Sequence, residues 1–237
     1  MKRIEIERNG ICLAGDRLGA VPGVLLLHAG GERRTVWHPV MRELAASGLD
    51  SLAFDLRGHG ESGGSPRDPI AEIAADIPPM LDLADRPVLV GASLGGFAAL
   101  LALADAGLQA RAAGLVLVDV VPDPDPQRTR AYLGGQGAGL ADAPLVAEIL
   151  DRAEDFRRAA AGLALPVRLV RGGRSRTVGA ADIDRLVSLV PDLEVAEVAR
   201  AGHLIAREAP QELSKQILDF MNGGPVRARR AGFRHSY

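Results

Sequence analysis

Three short apolar runs constrain this chain most: Val24-Leu-Leu-Leu27, Val88-Leu-Val90 and Gly114-Leu-Val-Leu-Val118. None alternates with polar residues. A strand with one wet face alternates, whereas a strand covered on both faces reads as an unbroken apolar run. Between and around them, helices are predicted over Val36–Ser47, Pro69–Ala84 and Gly95–Ala106, although Pro78-Pro79 must shorten or break the second. Further strands are predicted at Leu49–Asp55, Val167–Arg171 and Leu193–Val198, and further helices at Ala143–Ala161, Ala181–Val190 and Gln211–Met221. Buried strands alternating with helices imply an α/β protein: a mostly parallel central sheet, right-handed crossovers and helices on both faces. Ile4–Leu13 does alternate, about Asn9-Gly10, so an N-terminal antiparallel hairpin opens the fold.

The 237 residues suit one domain with a substantial core, expected over residues 1–222. Residues 223–237 are arginine-rich with little to bury, and a disordered basic tail is expected there. A net charge of −2 offers no general field for nucleic acid or anionic membranes, so neither is expected as a partner. The longest uncharged run, Val88 to Ala104, is shorter than the roughly 20 residues of a membrane span. The single cysteine, Cys12, excludes an intrachain disulfide and fits a reducing compartment. Met1-Lys-Arg leads straight into alternating residues with no signal segment. A cytoplasmic location is the resulting expectation.

The run at Val88 ends in Gly91-Ala-Ser93-Leu-Gly95, between a predicted strand and a predicted helix. A G-x-S-x-G sequence in that context reads as a nucleophile elbow, a sharp turn that exposes a serine. The N–H of the next residue, Leu94, then points at whatever the serine attacks. Helix N-terminal amides lack intrahelical acceptors and carry partial positive charge, so they stabilise developing negative charge. The competing reading is a structural strand-to-helix turn. His28, Ser93, Asp119 and His203 all fall just after predicted strand ends. That places them on one rim, where sheets of this kind bind ligands.

Taken together, His28-Ala-Gly-Gly31, Asp55-Leu-Arg-Gly-His-Gly60, Gly91-Ala-Ser-Leu-Gly95 and Ala201-Gly-His203 resemble the α/β-hydrolase fold superfamily, in its order and up to about Met221. The resemblance implies Ser93 as nucleophile and His203 as its general base. A serine hydroxyl is a weak nucleophile near neutral pH, and imidazole can take and return its proton. A serine here argues against the superfamily's dehalogenases and epoxide hydrolases, which use aspartate. The resemblance further implies oxyanion donors in the backbone N–H groups of Gly30 and Leu94, with Ala29 standing where a glycine is usual. It makes His28 a loop anchor, and Asp55, Arg57 and His59 parts of a structural turn.

The acid departs from the resemblance. Relatives place an aspartate in the loop after the strand equivalent to Val167–Arg171, but here that loop reads Gly172-Gly-Arg-Ser-Arg-Thr-Val178, with Arg176 in the acid's expected place. A cation there would oppose an imidazolium. Asp119 is the leading substitute: it follows an apolar strand directly, where an unpaired buried charge is costly, and it keeps the Ser–acid–His order. Asp123 or Asp125, Asp182 or Asp184, and no acid at all remain as alternatives. Any lid falls in the 47 residues between Asp119 and Val167, about 122–160, with the lid proper at Pro122–Leu140, expected to be small and irregular. Tyr132 in the lid and Trp37 near the first loop are expected substrate-contacting walls, as is Leu94. The expected activity is hydrolysis of carboxylic esters or related small acyl compounds through an acyl-enzyme, with a small-molecule acyl substrate and no metal or organic cofactor. Perhydrolase or haloperoxidase-like chemistry, C–C bond hydrolysis, a lyase of menaquinone synthesis and a non-catalytic ligand-binding role are the rivals.

Overall fold

A computed structural model describes residues 1–65, 69–137 and 139–231. Eight strands form one sheet: β1 Lys2–Arg8, β2 Ile11–Leu18, β3 Val24–Leu27, β4 Ser51–Phe54, β5 Val88–Ala92, β6 Gly114–Val118, β7 Val167–Gly172 and β8 Glu194–Val198. Their order across the sheet is β1-β2-β4-β3-β5-β6-β7-β8. The β1–β2 hairpin is antiparallel and joins β4 antiparallel; every pair from β4–β3 to β7–β8 is parallel. The expected α/β architecture is therefore the observed one. Every residue of β3, β5 and β6 is buried, which is why these runs carry no polar alternation.

Twelve α-helices pack around the sheet among the described residues. They are α1 His38–Ala46, α2 Ile70–Ala75, α3 Ile77–Leu81, α4 Leu94–Ala102, α5 Ala106–Ala110, α6 Pro126–Gly134, α7 Pro144–Asp151, α8 Ala153–Ala161, α9 Ala180–Leu189, α10 Ile205–Glu208, α11 Pro210–Asn222 and α12 Gly224–Ala231. Alternate strand residues face opposite sides. Leu25, Leu27, Leu89, Leu115 and Leu117 join one buried cluster with α2, α3, α4 and α8. Val24, Leu26, Val88, Val90 and Val116 join the other with α1, α11 and α12.

Local rules account for most departures from expectation. The Pro69–Ala84 helix breaks at Asp76, and its prolines sit in the first turn of α3, where a missing N–H costs nothing. The helix expected over Gly95–Ala106 stops at Ala102, and Asp105 caps the separate α5 by accepting from the Leu108 N–H at 2.9 Å. The helix expected over Ala143–Ala161 divides at Arg152 into α7 and α8. The lid is not irregular throughout. Asp125 caps α6 and Pro126 occupies its first position, so the proline run that forbids a helix interior supplies a helix start.

The tail also needs correction as far as it is described. Residues Gly224–Ala231 form α12 with Val226 buried, and Arg229 donates to the carbonyls of Ala164 and Gln109 while Arg230 donates to that of Gly23. Guanidinium groups feeding backbone carbonyls fix a segment that has little apolar surface of its own. Residues 232–237 of the expected tail lie outside the described residues.

Candidate active site

Ser93 sits between β5 and α4 with φ 45° and ψ −110°, a conformation that costs a non-glycine residue energy. The flanking glycines allow it. A Cβ on Gly91 would sit 2.6 Å from the Gly95 carbonyl oxygen, and one on Gly95 would run into the Leu27 carbonyl. Leu94 opens α4, so its amide has no intrahelical acceptor. Gly30 lies against it: a Cβ on Gly30 would meet Leu94 Cβ and Cδ2 at 3.8 Å. Among the described residues the Gly30 amide has no backbone acceptor. The Gly95 N–H donates to the His28 carbonyl at 3.1 Å and ties the first loop to the elbow.

His28 anchors that loop. Its Nδ1–H donates to the Ala29 carbonyl at 2.8 Å and its Nε2 accepts the Leu56 N–H at 2.9 Å. Burial pushes its pKa down to about 4, so it stays neutral near pH 7. The following turn is structural as well. Asp55 accepts the Arg34 and Glu61 amides at 2.6 and 2.8 Å and pairs with the Arg34 guanidinium, while Arg57 grips Asp76 at 2.6 and 2.9 Å. His59 packs edge-on to His28 at 5.2 Å.

Asp119 follows β6, buried, with φ 50°. Its Oδ2 lies 2.8 Å from His203 Nδ1, in the loop after β8. It also accepts from Ser175 Oγ at 2.6 Å and Thr177 Oγ1 at 3.0 Å, and its Oδ1 accepts the Gly172 N–H at 2.8 Å. Four donors on one carboxylate resolve the cost of burying it. Arg176, between the two hydroxyl residues, is exposed. Of the rival acids, Asp123 pairs with Arg185, Asp125 caps α6, Asp182 pairs with Arg128 and Arg185, and Asp184 is exposed on α9. Ser175 and Thr177 escaped sequence reasoning, because a serine and a threonine in a loop carry no pattern until the fold brings β6 beside it. The Ser93 hydroxyl is not hydrogen-bonded to His203 in this structure; nucleophile–base bonds are often loose without substrate.

Of the three expected walls, Leu94 adjoins Ser93 and lies against Gly30, and Tyr132 is at the site as well. The Tyr132 ring, on α6, meets the His203 ring edge-on at 4.9 Å. Burial raises its phenol pKa, with Glu208, Asp119 and Glu32 adding to the effect, so the hydroxyl keeps its proton. Trp37 is not a wall. It is fully buried on the sheet face opposite α4, because the 3₁₀ turn Arg34–Trp37 directs it beneath α1. Glu32, next to the Gly30 loop, is buried and lies 3.2 Å from Arg207 Nη2 on α10. Burial pushes its carboxyl above the usual range against the pull of Arg207. No group of three or more His, Cys, Asp or Glu side chains with metal-holding geometry occurs among the described residues. None of the helices there is long and apolar enough to cross a membrane.

A mostly parallel sheet covered on both faces, with a strained serine where a central strand meets its helix, defines an α/β protein of the hydrolase type. The alpha/beta hydrolase fold family matches residues 22–145, more than half of the chain, and the chain belongs to that family. A curated relative, an epoxide hydrolase of Caballeronia sordidicola, is 36% identical over 62 residues, 26% of this chain and only 19% of that protein. E-2-(acetamidomethylene)succinate hydrolase superposes with TM-score 0.74 at 23% identity, covering 94% of this chain and 99% of that one. The enol-lactonase of Burkholderia xenovorans LB400 gives 0.73 at 18%, covering 93% and 100%. A thermophilic esterase of Thermogutta terrifontis gives 0.73 at 23%, covering 93% and 98%. At these identities the superpositions speak for the fold.

Proposed function

We propose that this protein is a serine hydrolase of carboxylic esters or related small acyl compounds, with Ser93 as nucleophile, His203 as base and Asp119 as acid. The carrying observation is the 2.8 Å bond between Asp119 and His203 Nδ1, which fixes the imidazole tautomer and leaves Nε2 free to take a proton. In this reading Ser93 Oγ attacks the acyl carbon as Nε2 removes its proton. The Gly30 and Leu94 amides take the oxyanion, and His203 returns the proton to the leaving alcohol. Water, deprotonated by the same base, then releases the acid. Two such donors matter because losing one typically costs about 10²–10³ in turnover. The serine speaks against epoxide opening despite the relative's name, since the enzymes of that kind that this elbow resembles attack with aspartate. The short lid helix α6, bearing Tyr132 against His203, favours small acyl groups.

A fluorophosphonate probe tests the reading. The native protein should be labelled at Ser93, and Ser93→Ala should lose both label and turnover of a short-chain activated ester. Asp119→Asn should retain the fold and lose roughly 10³–10⁴ in kcat. Folded protein that resists the probe would sink the proposal.

A further inference from the structure

The hydroxyl of Thr177 does more than satisfy itself. It is buried, and it lies 2.9 Å from His203 Nδ1 and 3.0 Å from Asp119 Oδ2, while those two atoms are 2.8 Å apart. The three atoms form a nearly equilateral triangle served by two protons, one on the hydroxyl and one on Nδ1. A carboxylate only accepts, so the Thr177 proton goes to Oδ2, and the lone pairs of its oxygen are left facing Nδ1–H. Ser175 stands differently. Its oxygen accepts the amides of Thr177 and Val178 at 3.2 and 3.1 Å, its proton goes to Asp119 at 2.6 Å, and no hydrogen bond joins it to the imidazole. Ser175 also lies 3.2 Å from the Thr177 hydroxyl but makes no hydrogen bond to the imidazole, whereas Thr177 touches carboxylate and imidazole together.

We infer that Thr177 is a positioning residue for His203, sharing the Nδ1 proton with Asp119 and fixing the direction in which Nε2 faces Ser93. The inference rests on the triad reading above. A ring held at one nitrogen by a single acceptor can swing about that bond. A second acceptor on the same edge, carried by a different loop, removes the swing. Asp119 comes from the end of β6 and Thr177 from the loop after β7, so the ring is held from two directions. Neither bond touches substrate, and both orient the base and strengthen as His203 becomes an imidazolium, so they govern the chemical step rather than substrate affinity.

The test is steady-state kinetics on a short-chain activated ester, with thermal melting as the check on folding. Thr177→Val should lower kcat about tenfold, the worth of one buried hydrogen bond, with KM within about twofold. Thr177→Ser should recover most of the loss, and Ser175→Ala should cost less than Thr177→Val. The His203 Nδ1–H proton resonance should move in Thr177→Val and stay near its native position in Thr177→Ser. Thr177→Cys gives the same reading where the valine variant does not fold. A native kcat and an unmoved resonance in Thr177→Val or Thr177→Cys would overturn the inference, as would a loss that serine does not recover or one matched by Ser175→Ala. Native protein that the fluorophosphonate leaves unlabelled would overturn the triad and this inference with it. A labelled native protein beside an indifferent Thr177→Val would overturn this inference alone.

Discussion

His28 shows how a rim residue can serve the site without chemistry. It is fully buried, both ring nitrogens are engaged by backbone, and its folded pKa of about 4 lies below the ordinary 6.5. Between those values the unfolded chain binds a proton that the folded chain refuses, so stability falls as pH falls through the window. A shift of this size amounts to about 3 kcal/mol, fully lost near pH 4. Urea denaturation at pH 7 and pH 4.5 should show the fall, and His28→Gln should flatten it. Glu32 and Asp76 work in the other sense. Burial raises both carboxyls, so the cost of keeping them charged is relieved as pH drops, and the histidine variant isolates the imidazole's share. Asp119 was legible from sequence because a charge directly behind an apolar strand demands a partner. Trp37 was misread because proximity in sequence to a loop does not say which sheet face a turn will choose. Thr177 was invisible, since its partners lie 58 and 26 residues away.

At the scale of elements, α6 is held by polar ties. It buries no residue fully, yet Arg128 reaches Asp182 at 2.6 and 2.8 Å and Tyr132 rests on His203. Asp182 is itself fully buried, is shared with Arg185, and accepts the Gly179 amide at the start of α9. Arg128 is about one-third exposed, and Arg185 remains if it is lost, so the pair stabilises the whole fold by only about 1 kcal/mol. Its local effect is larger. Arg128→Gln should speed amide exchange across residues 126–134, with little change in the global unfolding midpoint, as hydrogen–deuterium exchange would show. Strands were easier to read than this helix. Burial on both faces writes itself into composition, whereas α6 depends on a capping aspartate inside a proline run.

For the whole molecule, unbroken apolar runs were enough to place β3, β5 and β6, because each is covered on both sides, while the N-terminal hairpin was legible from its alternation about Asn9-Gly10. The attachment of the C-terminal segment left no such trace: one buried valine and a set of arginine-to-carbonyl bonds produce no periodicity. Removing residues 224–237 exposes the site of Val226 and frees the carbonyls of Gly23, Gln109 and Ala164. Burying one valine is worth about 2 kcal/mol, so the shortened protein should unfold at lower urea concentration with its ester turnover intact at low temperature. Turnover lost in a still-folded truncation would show that the segment acts on the rim as well.

Arg230 joins Gly23 across 207 positions of sequence, beside the edge where β3 begins. During synthesis, the central strands can pair long before that bond is available, so the segment ending in α12 docks last, onto a sheet that has already closed. Until then the nascent chain carries its fold without that last tie, short only of the stability that Val226 and the arginine-to-carbonyl bonds add.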